Sequence, residues 1–467
     1  MKSIYLPMKP FRKSVLGKLL LMALVFTSCE DYVDVDPPTN QLTGAVVFED
    51  AATVDAAFAH IYGQLRESAF TTGLSNGLSY LMGHYTDELT LYSANLPDVQ
   101  NYANNTLIAS DSKAKILWDT SYNLIYASNS ILEGVQNSTT LSQEDRDRFL
   151  GEAYFVRAFI YFHLTNLFGP IPFIDSTDYR TNSEVSRNST EEVYQKLIAD
   201  LLTAKSLLPD TDGSFANLRP NYWVASALLA RAYLYNGDWQ SALSEATDII
   251  SNGSYTLNTD LAQVFKKSST ETLWQLGEGM TGTNTLEGFT FIFLSGPPPN
   301  SAISNHLIND FEAGDSRFTS WVGLVSDGTE TWYYPYKYKL NSPTGSTEEC
   351  SILFRLAELY LIVAEAQAQM GNLTEALDYL NGIRERATLA PIASADQSEV
   401  LDAILRERRL EFFTEQGHRF FDLKRTGNID DILSPIKPNW EPTDGLLPIP
   451  ESELILNPNL LPQNEGY

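Results

Sequence analysis

The residue types that most often carry out acid–base or metal chemistry are few and scattered in this chain of 467 residues. Its five histidines show no His-x-x-x-His spacing and have no cysteine partner at the spacing of a zinc site. No phosphate-binding loop of the Walker type is present. We therefore expect no catalytic residue, no metal site and no cofactor, and we interpret the protein as a non-enzyme.

Three carboxylates are candidates for the acid and base of glycoside hydrolysis: Asp87, Glu88 and Glu278. That reaction needs a second carboxylate held across the scissile bond from the first. Nothing in the sequence places one there, and adjacent acidic residues are common. A glycan-degrading enzyme is therefore the weakest of the hypotheses considered below.

Aromatic side chains, which make up 12% of the chain, are more informative. The candidate ligand-binding residues lie in an early Asn-rich stretch and in a later stretch rich in glycine and proline: Tyr92, Tyr102, Trp321, Trp332, Tyr333 and Tyr334. Rings beside Asn, Asp and Thr suit a sugar, because the ring packs on C–H groups while amides and carboxylates bind hydroxyls. The alternative is that alternate rings face the core from a strand: Trp332, Tyr334, Tyr336 and Tyr338.

The elements that must position these rings are mostly helical. Apolar residues recur at helical spacing along most of the chain, and they predict helices over five early stretches: 52–66, 73–87, 113–135, 143–167 and 189–208. The tryptophans within predicted helices are expected to pack: Trp118, Trp223 and Trp239. The Asn-rich stretch at 92–106 is predicted to be a loop.

An internal repeat indicates stacked helix pairs. The segments 221–250 and 352–387 contain SALLARAYLYNGDWQSAL and LYLIVAEAQAQMGNLTEAL. In each, an Ala lies seven residues before a Gly, and another Ala lies five residues after it. This pattern resembles the tetratricopeptide helix pair. Between the repeats, residues 254–347 are predicted to form a loop-rich, partly extended insertion with strand-like pieces at 272–276, 289–294 and 331–340, and function tends to lie on such loops.

A charged and aromatic segment near the C-terminus should hold the scaffold together. It reads LDAILRERRLEFFTEQGHRFFDLKR from Leu401 to Arg425. Asp396 is expected to cap a helix that runs to about Gln416, and Gly417 suits the left-handed residue at its end. Because aromatic residues lie between the charges on both sides, we expect a helix wedged among others, with some ion pairs partly buried.

This segment carries a family resemblance. RERRLEFFTEQGHRFFDLKRTG, together with the earlier GEAYFVRAFIYFHLTNLFGPIPFI, resembles the SusD/RagB family of nutrient-binding outer-membrane lipoproteins of Bacteroidetes. The resemblance implies a mainly α-helical, SusD-like binding domain over residues 46–467. It also implies a partner, a TonB-dependent SusC-like β-barrel transporter that such a protein covers as a lid. The family's ligands are usually oligosaccharides and sometimes peptides, and its binding residues vary, so none is carried over.

The N-terminus reads as an export and anchoring signal. Residues 1–28 combine basic residues with an apolar run of eight, LLLMALVF, which is too short to span a bilayer. The following Phe26-Thr27-Ser28-Cys29 resembles a lipobox, which would make Cys29 the lipidated residue; the alternative is a plain secretory signal with an incidental Cys. Residues 29–45 are expected to form a flexible tether. The protein would then be lipid-anchored in the outer membrane, facing the cell exterior.

The net charge limits the partners. It is −27 for the whole chain, and removal of residues 1–28 leaves 27 basic against 59 acidic residues, or −32. This balance argues against nucleic acid and anionic membrane surfaces as partners. Three hypotheses remain: a non-catalytic glycan-binding component of an uptake complex, a peptide receptor of the same architecture, and an enzyme.

Overall fold

The first helix shows how the predicted periodicity becomes structure. A computed structural model of the chain describes residues 47–211 and 216–467. In helix α1 (Ala51–Glu67), the Asp50 carboxylate accepts a hydrogen bond from the Ala52 N–H and so caps the first turn. The apolar residues of one face are fully buried: Val54, Phe58, Ile61 and Leu65. Burial of such faces drives the assembly of the helices.

The described chain is mainly α-helical, as predicted. The helices are α1 (Ala51–Glu67), α2 (Leu78–Tyr85), α3 (Pro97–Asn104), α4 (Ser112–Asn137), α5 (Gln143–Phe168), α6 (Tyr179–Asn182), α7 (Thr190–Leu207), α8 (Tyr222–Tyr235), α9 (Trp239–Asn252), α10 (Leu286–Phe291), α11 (Asn305–Ile308), α12 (Ser316–Trp321), α13 (Leu356–Gln369), α14 (Leu373–Arg386), α15 (Gln397–Phe412), α16 (His418–Arg425), α17 (Ile429–Leu433) and α18 (Glu451–Leu456). The strands are β1 (Leu89–Leu91), β2 (Thr272–Leu276), β3 (Ser301–Ile303), β4 (Val322–Ser326), β5 (Thr331–Pro335) and β6 (Ser351–Arg355).

Two helix pairs repeat the same packing. Helices α8 and α9 are joined at Gly237, and helices α13 and α14 at Gly371, with φ values of 76° and 83°. Glycine adopts this left-handed conformation without strain. Ala230 and Ala364 are fully buried within their pairs. Helix α9 packs on α13, so the pairs stack, and the predicted tetratricopeptide-like scaffold is confirmed.

The insertion between the pairs is built from short pieces. Among the described residues, the strands form three two-stranded antiparallel ribbons, β1 with β3, β2 with β6, and β4 with β5. The strand predicted at 272–276 is confirmed as β2. No strand forms over 289–294: residues 289–291 belong to helix α10, and residues 292–294 lie in no regular element. The piece at 331–340 is a strand only as far as Pro335.

Other boundaries also differ from the prediction. The expected loop at 92–106 contains helix α3, which begins at Pro97 because proline suits the first turn of a helix. The helix expected over 73–87 is confined to α2. Helix α15 ends at Phe412, before the predicted end at Gln416, and a further helix, α16, follows it.

Helices α15 and α16 meet at a corner that is filled with buried ion pairs. The Asp396 carboxylate caps α15, and Gly417 at the corner has a φ of 75°, both as predicted. The carboxylate of Glu411 is fully buried and pairs with guanidinium groups from α12, β6 and α14: Arg317, Arg355 and Arg386. These pairs therefore join the insertion to both the scaffold and the corner.

Residues 48–467 form one compact unit. Within the described ranges, no helix is both long and apolar enough to cross a membrane. Cys350 is 2% exposed, as expected for a small core residue. The predicted signal segment at 1–28, the lipidation of Cys29 and the tether at 29–45 lie outside the described residues.

Candidate functional site

A two-stranded ribbon brings the early aromatic stretch and the insertion together. Strand β1 pairs with β3 in antiparallel register, with Leu89 opposite Ile303. Beyond the ribbon, the backbone N–H groups of Tyr92 and Ser93 both donate to the carbonyl of Asn300, over 2.7 and 3.2 Å. Two regions that are about two hundred positions apart in the sequence thus share one surface.

The ion pairs of the corner hold the base of this ribbon. Asp87, two residues before β1, accepts hydrogen bonds from Arg409 at 2.7 Å and from Arg419 at 2.9 Å. Burial raises the pKa of the Asp87 carboxyl, but the two guanidinium groups outweigh it and bring the pKa down to about 2. The ribbon is therefore fixed to α15 and α16 by a carboxylate that stays charged.

Glu88 has a different environment. Its carboxylate accepts a hydrogen bond from the Thr414 N–H at 3.2 Å. Burial and the charge of Asp87 raise the pKa of Glu88 to about 7. Glu278 pairs with Lys267 at 3.0 Å. Asp87, Glu88 and Glu278 each have a hydrogen-bond or ion-pair partner within the protein.

One cleft, of about 440 Å³, lies beside β1. Its polar side chains come from both ends of the chain: Thr86, Asp87, Thr90, Ser93, Gln100, Asn104, Ser304, His306 and Lys437. The Lys437 ammonium group donates to the carbonyls of His84 and Ala103. Because burial outweighs the nearby Asp87 charge, the pKa of Lys437 falls to about 8. The lining of this cleft thus offers many hydrogen-bonding groups and one cationic side chain, the Lys437 ammonium group.

A second cleft, of about 330 Å³, lies beside β3. Phe289 on α10 lines it with a ring that is 66% exposed. Asn76 and Asn300 supply amides, and the Asn300 side chain makes no hydrogen bond within the described ranges. The Tyr80 hydroxyl lies 2.6 Å from Ser301 Oγ at the buried side. The Asn76 Oδ1 atom accepts a hydrogen bond from Lys113, so an exposed ring and one free amide, that of Asn300, are adjacent here.

The predicted ligand-binding residues divide into surface and core positions. Tyr92 is 42% exposed on the first cleft. The Trp332 indole N–H lies near the Tyr92 hydroxyl without forming a hydrogen bond of normal geometry. Burial and the Glu330 carboxylate raise the pKa of Tyr92. Tyr333 is half-buried against Phe318.

Two of the predicted residues lie wholly in the core. Trp321 is fully buried, and its indole N–H donates to the Leu261 carbonyl at 3.0 Å. Tyr102 is fully buried, with its ring 5.7 Å from that of Tyr85. Neither side chain has surface to offer a ligand. For these two positions the structure contradicts the predicted role, because tertiary packing encloses the rings.

Trp332 and Tyr334 form the floor of the insertion rather than its surface. They are 5% and 9% exposed and pack with Phe293 and Ala302. Both point inward from β5, in agreement with the core-facing alternative. Trp332 lies beside Tyr92, so its contribution to a binding surface would be to support the Tyr92 ring.

The sequence analysis did not identify two motif spacings and the exposed ring of Phe289. Residues 73–77 read Gly-x-Ser-x-Gly, but they follow a helix rather than a strand, and Ser75 makes no hydrogen bond to a histidine in the described ranges. Residues 277–282 read Gly-x-Gly-x-x-Gly after β2, yet no helix begins there. The prediction placed Phe289 in a strand-like piece, whereas it lies on helix α10 with an exposed ring.

Comparisons with known proteins agree with this architecture. A family model described as SusD-like, "Starch-binding associating with outer membrane", matches residues 31–234, and a model of the SusD family matches residues 323–467. Two SusD-like proteins of Formosa agariphila are 26% and 27% identical over 96% of this chain, and the alignments cover 99% and 98% of their own lengths.

Solved structures share the fold. A SusD superfamily protein from Bacteroides vulgatus superposes with a TM-score of 0.77 at 22% identity, over 90% of this chain and 100% of that one. A structure titled "Laminarin binding SusD-like protein" gives 0.71 at 23% identity, over 89% and 99% of the two chains. Surface glycan-binding protein A from Bacteroides thetaiotaomicron gives 0.75 at 19% identity, over 90% and 100%.

Proposed function

The chain belongs to the SusD/RagB family, and we propose that it is a non-catalytic cell-surface protein that binds an oligosaccharide and delivers it to a TonB-dependent SusC-like transporter. The observation that carries this proposal is the ribbon surface. There Tyr92 and Phe289 expose their rings on either side of paired strands, next to the free amide of Asn300. Laminarin and glycans named for two neighbours of the same fold support the choice of ligand class.

The ribbon surface has the chemistry that a sugar requires. A pyranose presents apolar C–H groups on its faces and hydroxyls around its edge. Exposed rings such as Phe289 pack on the C–H groups, and side chains such as Asn300 bind the hydroxyls. No metal-ligand cluster is found among the described residues. We assign these polar groups to ligand binding.

The insertion also has features of a docking surface. Several large apolar side chains of the insertion are strongly exposed: Met280, Phe289, Leu294 and Leu324. Exposed apolar groups of this kind mark protein contacts when they are covered in a complex. We assign the transporter to this side, so that bound ligand would be enclosed between the two proteins. Anchoring through lipid on Cys29 is part of the proposal, and loss of membrane association in a Cys29→Ser variant is the measurement that checks it.

Glycan binding by ribbon variants tests the function directly. We expect the chain to bind at least one member of a glycan panel, and Tyr92→Ala or Phe289→Ala to weaken that binding by about tenfold, the scale of one aromatic stacking contact. Leu202→Ala, which truncates an exposed side chain on α7, is the matched control and should bind normally. Equal binding by all variants would contradict the placement, and release of shorter products over time would indicate an enzyme.

A further inference from the structure

A groove that shares no lining residue with the two ribbon clefts runs along helix α4. Its volume is about 580 Å³. One wall is α4, the floor includes Pro172 and Ile174 from the segment after α5, and the other wall is formed by the C-terminal helix α18 and the residues after it. The proposed function does not use this groove.

Three aromatic residues follow one side of α4, and two of them, Trp118 and Tyr122, line the groove. Trp118, Tyr122 and Tyr126 are four residues apart, so they lie one above another on the helix. The ring centroids of Trp118 and Tyr122 are 4.8 Å apart. The Tyr122 hydroxyl donates to the Pro172 carbonyl at 2.8 Å, which fixes a half-buried ring in the floor. Tyr126, one turn further, is 55% exposed and extends the row to the surface.

The rim of the groove is polar but has no net positive charge. Lys115 pairs with Asp119 at 2.7 Å and with Glu453 across the groove at 3.6 Å. Two acids thus face one base, in a chain whose net charge is −27. This balance disfavours anionic ligands. Asn123 is exposed on the rim, and its amide makes no hydrogen bond within residues 47–211 and 216–467.

We propose that the α4 groove is a second binding site, for a neutral oligosaccharide. Tyr122 in the groove, and Tyr126 exposed one turn beyond its lining, supply the faces for C–H packing, while Asn123 and the rim carboxylates supply hydrogen bonds to hydroxyls. A purely apolar peptide would bury these polar groups unpaired, which costs binding energy. The inference rests on the proposed function, since it adds a second hold on the same class of ligand. Two sites on one chain raise the effective concentration of a long glycan at the surface.

Site-specific labels can read the two surfaces separately. The chain from residue 29 onward, with Cys29→Ser, keeps a single thiol at Cys350, which is buried and whose pKa burial raises to about 11. A trifluoromethyl label on Ser183→Cys then reports on the groove by ¹⁹F NMR, and the same label on Ala94→Cys reports on the ribbon. The ligands are maltohexaose, cellohexaose and laminarihexaose.

The expected result is a saturable shift of the groove label with at least one hexaose, retained in a Tyr92→Ala, Phe289→Ala double variant. Tyr126→Ala and Asn123→Ala should each weaken the groove response several-fold, because each removes a proposed contact with the sugar. Both residues are exposed, so their replacement should leave the fold intact. A silent groove label with all three hexaoses overturns the groove proposal, as does a response that disappears in the double variant. The response of the ribbon label to the same hexaoses tests the proposed function separately from the groove proposal. Binding of apolar peptides but no hexaose would also overturn the groove proposal.

Discussion

At the scale of single residues, the ribbon surface depends on a glycine that leaves room for a ring. A Cβ atom on Gly296 would overlap the six-membered ring of Trp332. Trp332 in turn lies beside Tyr92, the exposed residue of the first cleft. The position of Tyr92 therefore depends on the absence of a side chain at position 296.

We predict that Gly296→Ala lowers the free energy of unfolding by about 1 to 3 kcal/mol, the usual cost of overpacking. It should also weaken glycan binding at Tyr92, because Trp332 must move. Chemical denaturation and glycan titration measure the two effects. Gly445→Ala is the control, since nothing lies within 4 Å of the Cβ that it adds. Unchanged binding in Gly296→Ala would show that Trp332 does not support the site.

Glu287 is a buried acid with no cationic partner in the described ranges. It lies in the first turn of helix α10, beside the second cleft, and its carboxyl accepts a hydrogen bond from Ser351 Oγ at 2.7 Å. Burial raises its pKa from 4.5 to about 7. The folded protein thus binds this proton more tightly than the unfolded chain. The contribution of Glu287 to stability is fully present below pH 4.5 and is lost as the pH rises through 7.

We predict that Glu287→Gln removes this loss. At about pH 8.5 the variant should unfold with a free energy up to roughly 3 kcal/mol above that of the native chain, and at about pH 5 the difference should be small. Urea denaturation at both pH values measures it. Glu144→Gln, at an exposed position on α5, controls for the loss of a charge. An equal effect at both pH values would mean that Glu287 is not protonated in the folded state at neutral pH.

Residue types alone predicted a surface of aromatic rings among polar groups, but they identified only some of the residues that form it. Tyr92 was identified because it is a ring among amides, and it lies on the surface. Trp321 and Tyr102 have the same local signal, yet both are enclosed by segments far away in the sequence. Phe289 lies beside Asn76 and Asn300, residues distant in the sequence, only in the folded chain. Burial is a property of the tertiary structure, so no local pattern separates these cases.

At the scale of elements, the corner of α15 and α16 determines where the insertion lies. Glu411 is fully buried and pairs with three arginines from separate elements: Arg317, Arg355 and Arg386. Burial raises the pKa of Glu411, but the guanidinium groups outweigh it and hold the pKa far below its usual range. Removal of one partner from such a network leaves buried charge uncompensated.

We predict that Glu411→Gln lowers the free energy of unfolding by about 3 to 5 kcal/mol, because three buried guanidinium groups then lose the charged carboxylate with which they all pair. Thermal and urea denaturation measure it. Glu67→Gln is the control, since that carboxylate is 60% exposed and pairs with Arg66 at the surface. The control should change stability by about 1 kcal/mol or less. A similar change in both variants would show that the buried network holds register without contributing stability.

The long helices were predictable and the short elements were not. Helices α4 and α5 are each 26 residues long and begin at polar N-caps, Asp111 and Ser142, so their sequences predict them. Helix α3, helix α16 and strand β6 are between five and eight residues long. Pieces of this length are marginal alone and form because their neighbours bury them. The β1–β3 ribbon joins distant segments, which a pass along the chain cannot reveal.

At the scale of the whole molecule, net charge separates the two kinds of ligand that remain. The charge of −27 attracts cationic peptides over long range, and salt screens that attraction. Packing of a neutral sugar on Tyr92 and Phe289 involves no net charge on the ligand. Between about 0.05 M and 0.5 M NaCl, glycan affinity should therefore change by less than about twofold, whereas that of a lysine-rich peptide should fall by more than about tenfold. Titration of both ligands against the native chain and the Tyr92→Ala, Phe289→Ala double variant measures this. Peptide binding that is tight, salt-sensitive and confined to the ribbon, with no glycan bound, would make the protein a peptide receptor on the same scaffold.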